Sequence, residues 1–220
     1  MRRIALGALL AVLGAALLIP SAGGTSGKRA RTWQVSITNL TPAGSQPLSP
    51  PLLVVHSRRA DVWSVRTIAT HIVAAIAEDA NNAPAESALT GYPGVLSAET
   101  GAGGPIPPGA TRTYTVDSRG NFDRLTVLTM LVNTNDGFTG LDSAHLRGRG
   151  FTRSTRAYDA GSEVNNERIT HIPGPCCNHP FVRDPEGAVI RMHEGITGRG
   201  DLNPAVYGWT GPVARIQVSR

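Results

Sequence analysis

The chain has 220 residues, with 21 basic and 16 acidic side chains and a formal net charge of +5. That length suits one domain with its own hydrophobic core. The basic excess is mild and almost wholly arginine, Lys28 being the only lysine. It lacks the basic stripe with interleaved aromatics of a nucleic-acid binder, so no nucleic-acid partner is expected. The arginine bias points to a GC-rich bacterial genome. The clusters Lys28-Arg29-Ala30-Arg31 and Arg147-Gly148-Arg149 read as solvated surface.

The N-terminus has the order of a signal peptide, residues 1–23: charged Met1-Arg2-Arg3, the apolar run from Ile4 to Ile19, then small residues around Ser21-Ala22-Gly23. The run falls short of the ~20 apolar residues of a membrane span. The alternative is an uncleaved anchor, because Pro20 disfavours cleavage after Ala22. Export to the periplasm or the extracellular space is expected, with no transmembrane segment left after cleavage. Loss of Arg2 and Arg3 takes the charge from +5 to +3. Residues 24–31 form a flexible tether, and 32–220 the folded domain.

Thr32 to Leu40 alternates, with Trp33, Val35 and Ile37 on one face, as in a half-buried strand. Pro42 to Pro51 is a loop, and Leu52-Leu53-Val54-Val55-His56 a more fully buried strand. Val65, Ile68, Ala69, Ile72, Val73 and Ile76 recur at helical spacing and predict one inserted helix over residues 64–80, with a further helical turn over 85–89. The Gly- and Pro-rich stretch 91–109 reads as a loop. Short strands follow at 112–116, 124–132, 155–158, 188–192 and 213–218. This pattern predicts a mainly β protein, an antiparallel sandwich or barrel.

Cys176 and Cys177 are the only cysteines. Neighbouring Cα atoms lie ~3.8 Å apart, closer than an ordinary disulfide allows. A vicinal disulfide, free thiols and an intermolecular bridge all remain open. No Gly-x-Ser-x-Gly or His-Glu-x-x-His pattern occurs. Adjacent cysteines with His179 and His193 do not have zinc-site spacing. Arg199-Gly200-Asp201 is the tripeptide many integrins bind, but three residues arise easily by chance in a Gly- and Arg-rich chain, and the neighbouring Asp201-Leu202-Asn203-Pro204 reads as turn chemistry.

Two Gly-containing turns carry the strongest chemical signal. One spans Asn133-Thr134-Asn135-Asp136-Gly137-Phe138-Thr139-Gly140-Leu141-Asp142, the other Tyr158-Asp159-Ala160-Gly161-Ser162-Glu163. Several carboxylates and amides on two loops at one end of a sandwich suit a hard cation. The competing reading is that Asp, Asn and Gly are simply good turn formers. Asp136 and Asp159 are placed outside the core, and Asp79 within the helix, away from the turns.

The order of these pieces, from Trp33 to the closing Pro212-Val213-Ala214-Arg215-Ile216, resembles the spondin N-terminal domain family in a bacterial single-domain form. Its animal members, F-spondin and mindin, carry similar Asp-aromatic-Phe-x-Gly-x-Asp and Tyr-Asp-Ala-Gly-Thr-Asp stretches. The resemblance implies a C2-like antiparallel β-sandwich and a calcium ion held by acidic loops. It implies Asp136, Asp159 and Glu163 as ligands, with Asn135 and Asp142 as secondary candidates. Glu163 stands where the animal proteins have aspartate. The animal disulfides and thrombospondin repeats are missing. The expected function is a secreted, calcium-binding (Ca2+) adhesion or binding module without catalytic activity, whose partner is an extracellular protein or glycan. The alternatives are a secreted metal- or histidine-dependent hydrolase and a purely structural cell-envelope protein.

Overall fold

A computed structural model of the protein describes residues 30–179 and 182–220. The expected signal peptide and all but the last two residues of the tether lie outside the described residues. Two antiparallel sheets pack face to face. The smaller has the strand order β4-β1-β10-β7, built from β1 (Arg31–Asn39), β4 (Thr111–Ser118), β7 (Gly150–Thr155) and β10 (Ala214–Ser219). The larger has the order β3-β2-β5-β6-β8-β9. It comprises β2 (Leu52–His56), β3 (Val95–Thr100), β5 (Arg124–Met130), β6 (Gly137–His145), β8 (Tyr158–Asp159) and β9 (Arg191–Met192). The expected β-sandwich is the observed fold. No helix among the described residues is long and apolar enough to cross a membrane.

Strand alternation explains the core. Trp33, Val35 and Ile37 of β1 point inward and meet Leu53, Val55, Leu125 and Val127 of the larger sheet. The polar face of β1 is paired across strands: Ser36 and Thr38 hydroxyls lie 2.8 and 2.9 Å from those of Thr113 and Thr111. The larger sheet is buried on both faces. Its outer residues Leu52, Val54, Leu128 and Phe138 pack against two helices, α1 (His71–Asp79) and α2 (Ala83–Leu89), and against Trp63. That second layer is why Leu52 to His56 is an unbroken buried run rather than an alternating one.

The helical insert differs from the expected one. A single helix over 64–80 does not form. Arg66 has φ 72° and Thr70 is extended, which confines α1 to the second half of the periodic stretch. Val65 and Ile68 are consequently 43% and 60% exposed instead of lying on the buried face. Ala80, at φ 55°, ends α1 in a Schellman arrangement, its N–H donating to Ile76 O and that of Asn81 to Ala75 O. The second helical turn becomes a full helix, α2, with Pro84 in its first turn. A short helix α3 (Pro204–Tyr207) follows an Asn203 cap. Two expected loops are strands. Residues 95–100 form the edge strand β3, and Gly137 to Asp142 runs into β6 rather than curling into a turn. Cys176 and Cys177 are joined as a vicinal disulfide.

These placements set an expectation for stability. Leu128, fully buried between sheet and helices, loses about 2–5 kcal/mol on replacement by Ala. Ile68→Ala changes stability by less than about 0.5 kcal/mol. Urea denaturation of the two variants checks this; equal losses would return Ile68 to the buried helix face.

Candidate cation site

β5 ends at Met130, and the chain reverses through residues 131–136. Thr134 holds this turn: its hydroxyl donates to Leu131 O at 2.6 Å and accepts from Gly137 N at 2.8 Å. Asn133 fastens the turn outward, its Nδ2 donating to Ser45 O at 2.7 Å. Asp136 thus sits at the mouth of β6. Antiparallel pairing of Gly137 with Asp159 and Phe138 with Tyr158 brings the second turn to the same edge. The next segment, 160–167, folds over Asp136. Gly161 permits this at φ 70°, and any Cβ there would meet Ala188 O at 2.6 Å.

Asp136 is fully buried, and its two oxygens differ. Oδ2 accepts from Ser162 N at 2.8 Å, Glu163 N at 3.0 Å and the Ser162 hydroxyl at 3.2 Å. Oδ1 is buried with no hydrogen-bond partner. Burial, then the neighbouring Asp159 charge, pushes its pKa up to about 7 against the pull of those donors. Glu163 is 1% exposed, and neither of its oxygens accepts a hydrogen bond. Arg183 Nε lies 3.0 Å from Oε1 as an ion contact, without the alignment of a hydrogen bond. Burial, only partly offset by Arg183, pushes the Glu163 pKa up to about 8, with Glu78, Asp136 and Asp79 adding to the rise.

Asp159 is differently placed. It is buried, but Oδ1 accepts from Gly161 N at 2.6 Å and Oδ2 from Asn165 Nδ2 at 2.6 Å, and Arg191 Nη2 lies 2.8 Å from Oδ2 as an ion pair. Its pKa is raised by burial despite these partners. Asp136 and Asp159, expected outside the core, are therefore buried polar groups. Among the described residues, no three His, Cys, Asp or Glu side chains stand together as a formed metal site.

The secondary candidates lie apart from this arrangement. Asn135 is buried, but its Oδ1 accepts from Glu167 N and its Nδ2 donates to Asn166 Oδ1, both at 3.2 Å. It ties its turn to the segment at Asn166 and Glu167. Asp142 is six residues further along the chain and faces Asp61 and Ser64, whose hydroxyl lies 3.4 Å from it.

Sequence reasoning missed five participants. Glu78 and Asp79, at the end of α1, both contact Arg183, the former at 3.3 Å, so Arg183 bridges the helix to Glu163. Asp79 is accordingly a neighbour of the site and not remote from it. The alternation of Val54, Leu128 and Phe138 toward α1 was the signal that could have placed it. Asn165 and Arg191 complete the setting of Asp159. Nearby, Glu167 is pushed up by burial, but donors from Thr197, Gly198 and Arg199 outweigh this and hold its carboxyl below the usual range. His193 is buried, its ring centroid 5.2 Å from that of Trp209, and burial lowers its pKa to about 4. Its Nδ1 accepts from Gly195 N at 3.0 Å.

No protein-family model matches this chain, and no curated protein matches it. The site must be read from its own chemistry.

Both Asp136 and Glu163 have folded pKa values above their ordinary ones. Such groups stabilise the fold fully below the unfolded pKa and lose that contribution as pH rises through the folded pKa. In chelator, the melting temperature should fall as pH rises from about 4 toward 8, the window set by these two groups. Asp136→Asn and Glu163→Gln should each flatten the fall. A melting curve in chelator that is level or rising across this window would contradict the assignment.

Proposed function

We propose that the protein is a secreted calcium-binding module of the spondin type, acting by binding an extracellular partner and not by catalysis. The observation that carries the reading is the pair of buried carboxylates with oxygens that accept no hydrogen bond among the described residues, Asp136 Oδ1 and both oxygens of Glu163, of which Oε1 has only the ion contact with Arg183. A buried carboxylate with incomplete hydrogen bonding is costly, and neutralisation by proton or by cation relieves the cost. The donor set is all oxygen and anionic, which suits a hard divalent ion. Asp136 and Glu163 are the direct ligands in this reading. Asp159 is the third carboxylate, held ready by Asn165 and Arg191. Water or backbone carbonyls complete a shell of 6–8 oxygens.

The non-catalytic half of the proposal draws support from two features. The Cys176–Cys177 bond gives no thiolate for a cysteine nucleophile. His193 is 8% exposed and its Nδ1 is engaged with a backbone N–H, which leaves little of the ring for a substrate to reach. The spondin relationship rests on the order of motifs from Trp33 to Ile216 and on the sandwich that carries them. Export rests on the N-terminal sequence.

Calcium binds only where the two turns are assembled, so it should stabilise the folded state by linkage. The melting temperature should rise with the logarithm of free calcium, with ~2.7 kcal/mol gained at a hundredfold excess over the dissociation constant. Asp136→Asn and Glu163→Gln should each abolish this dependence, and Asp142→Asn should leave it intact. Titration calorimetry and thermal melts with calcium or chelator read the outcome. Identical melts in the two conditions for the wild-type protein would reject calcium binding.

A further inference from the structure

The end of the sandwich opposite the carboxylates is basic. Two adjoining clefts of about 440 and 460 Å³ open there and share Gly120, Asp123 and His145 in their walls. Arg31, Arg119 and Arg147 line the first; Arg58, Arg59 and Arg124 line the second. They arrive from five separate places: the start of β1, the turn after β2, the hairpin between β4 and β5, the start of β5 and the loop after β6. Against six guanidinium groups the walls hold one carboxylate, Asp123, already engaged with His145 Nε2 at 2.8 Å. Among the described residues, none of the six arginines pairs with a carboxylate. Arg124 is steadied by donating to Ser143 O at 3.1 Å, and the other five stay exposed.

Unpaired like charges gathered in a concave site raise the local potential and favour an anion. The guanidinium fork matches tetrahedral oxyanions in bidentate fashion. What surrounds the arginines narrows the class of anion. Among the described residues no Phe, Tyr or Trp lines either cleft, so the stacking surface of single-stranded nucleic-acid sites is missing from them. None of the large exposed apolar side chains lines them either, which removes the anchors of a membrane-lying surface. Asn121 instead offers an exposed amide beside the charges, while the buried Ser57 and Ser118 hydroxyls are engaged with Arg59 N and with Trp33 Nε1. We propose that this double cleft binds an anionic glycan bearing sulfate or phosphate esters, spanning both halves. The proposal names a partner class that the binding-module reading leaves open, and it does not rest on calcium.

The test is calorimetric titration of the full chain with a heparin oligosaccharide and with a phosphorylated mannan, in calcium and in chelator. Binding of either polymer is expected, and the tighter one identifies the ester. The logarithm of affinity should fall linearly with that of salt, as for other polyanions. Arg58→Ala/Arg119→Ala, one change in each cleft, should weaken binding by about tenfold or more. Arg112→Ala/Arg215→Ala, on the small sheet and of equal charge change, should leave it unchanged. Equal binding by wild type and the cleft variant, or an equal loss in both variants, would overturn the proposal. So would tighter binding to single-stranded DNA or to vesicles of phosphatidylglycerol. Binding that persists in chelator is expected, and its loss there would remove the site from this cleft. Failure of the calcium melts alone leaves the glycan result standing, so the two proposals fail separately.

Discussion

Asp136 Oδ2 joins the two halves of the acidic end. It accepts from the backbone of Ser162 and Glu163 and so clamps the segment after β8 onto the mouth of β6. The same clamp carries a cost, because it draws a whole carboxylate out of water while satisfying one of its oxygens. Backbone donors to a carboxylate favour its charged form. Here burial outweighs them, and the balance settles near neutral pH instead of in the acid range. Glu163 is drawn in by the same fold of chain and has still less support. The loop therefore keeps its shape through hydrogen bonds from main chain to Asp136, while the charge state of that carboxyl turns over near neutral pH.

This arrangement is possible because the larger sheet is closed on both faces. The small sheet covers one side of β2 and β5, and α1 and α2 cover the other. The helices also deliver charge: α1 ends in Glu78 and Asp79, and Arg183 spans from these to Glu163. An arginine among three carboxylates is a resident cation that tempers their repulsion. A divalent ion between Asp136 and Glu163 would compete with that guanidinium for Glu163, so the helical layer bears on cation affinity without supplying a ligand.

The sandwich was legible because β1 alternates cleanly and β2 is uniformly apolar, and both patterns follow from which faces are covered. The helix over 64–80 was overread because periodicity counts apolar residues and carries no information about backbone angles. Arg66 takes a positive φ that no local composition signal marks. The Gly-rich appearance of residues 91–109 concealed β3, an edge strand that needs only one paired side. At the site, Asp136, Asp159 and Glu163 were nameable from their turns. Their burial was not, since it depends on the segment 160–167 folding back, which Gly161 permits. Asp142 was misjudged because the strand β6 begins at Gly137, and each further residue carries the side chain ~3.4 Å away.

The molecule is electrostatically divided along β6. Its nine residues separate Gly137, beside the carboxylates, from His145, at the arginine clefts. At ~3.4 Å per residue, that is roughly 27 Å, several times the Debye length of ~8 Å at physiological ionic strength. Through solvent, the two ends are screened from one another. What joins them is the rigid sheet, and a β-sheet has little net dipole of its own. Mixing the charges would have let guanidinium and carboxylate groups pair with each other. Kept apart, the buried carboxylates hold oxygens that accept no hydrogen bond, and the cleft arginines have no carboxylate partner among the described residues.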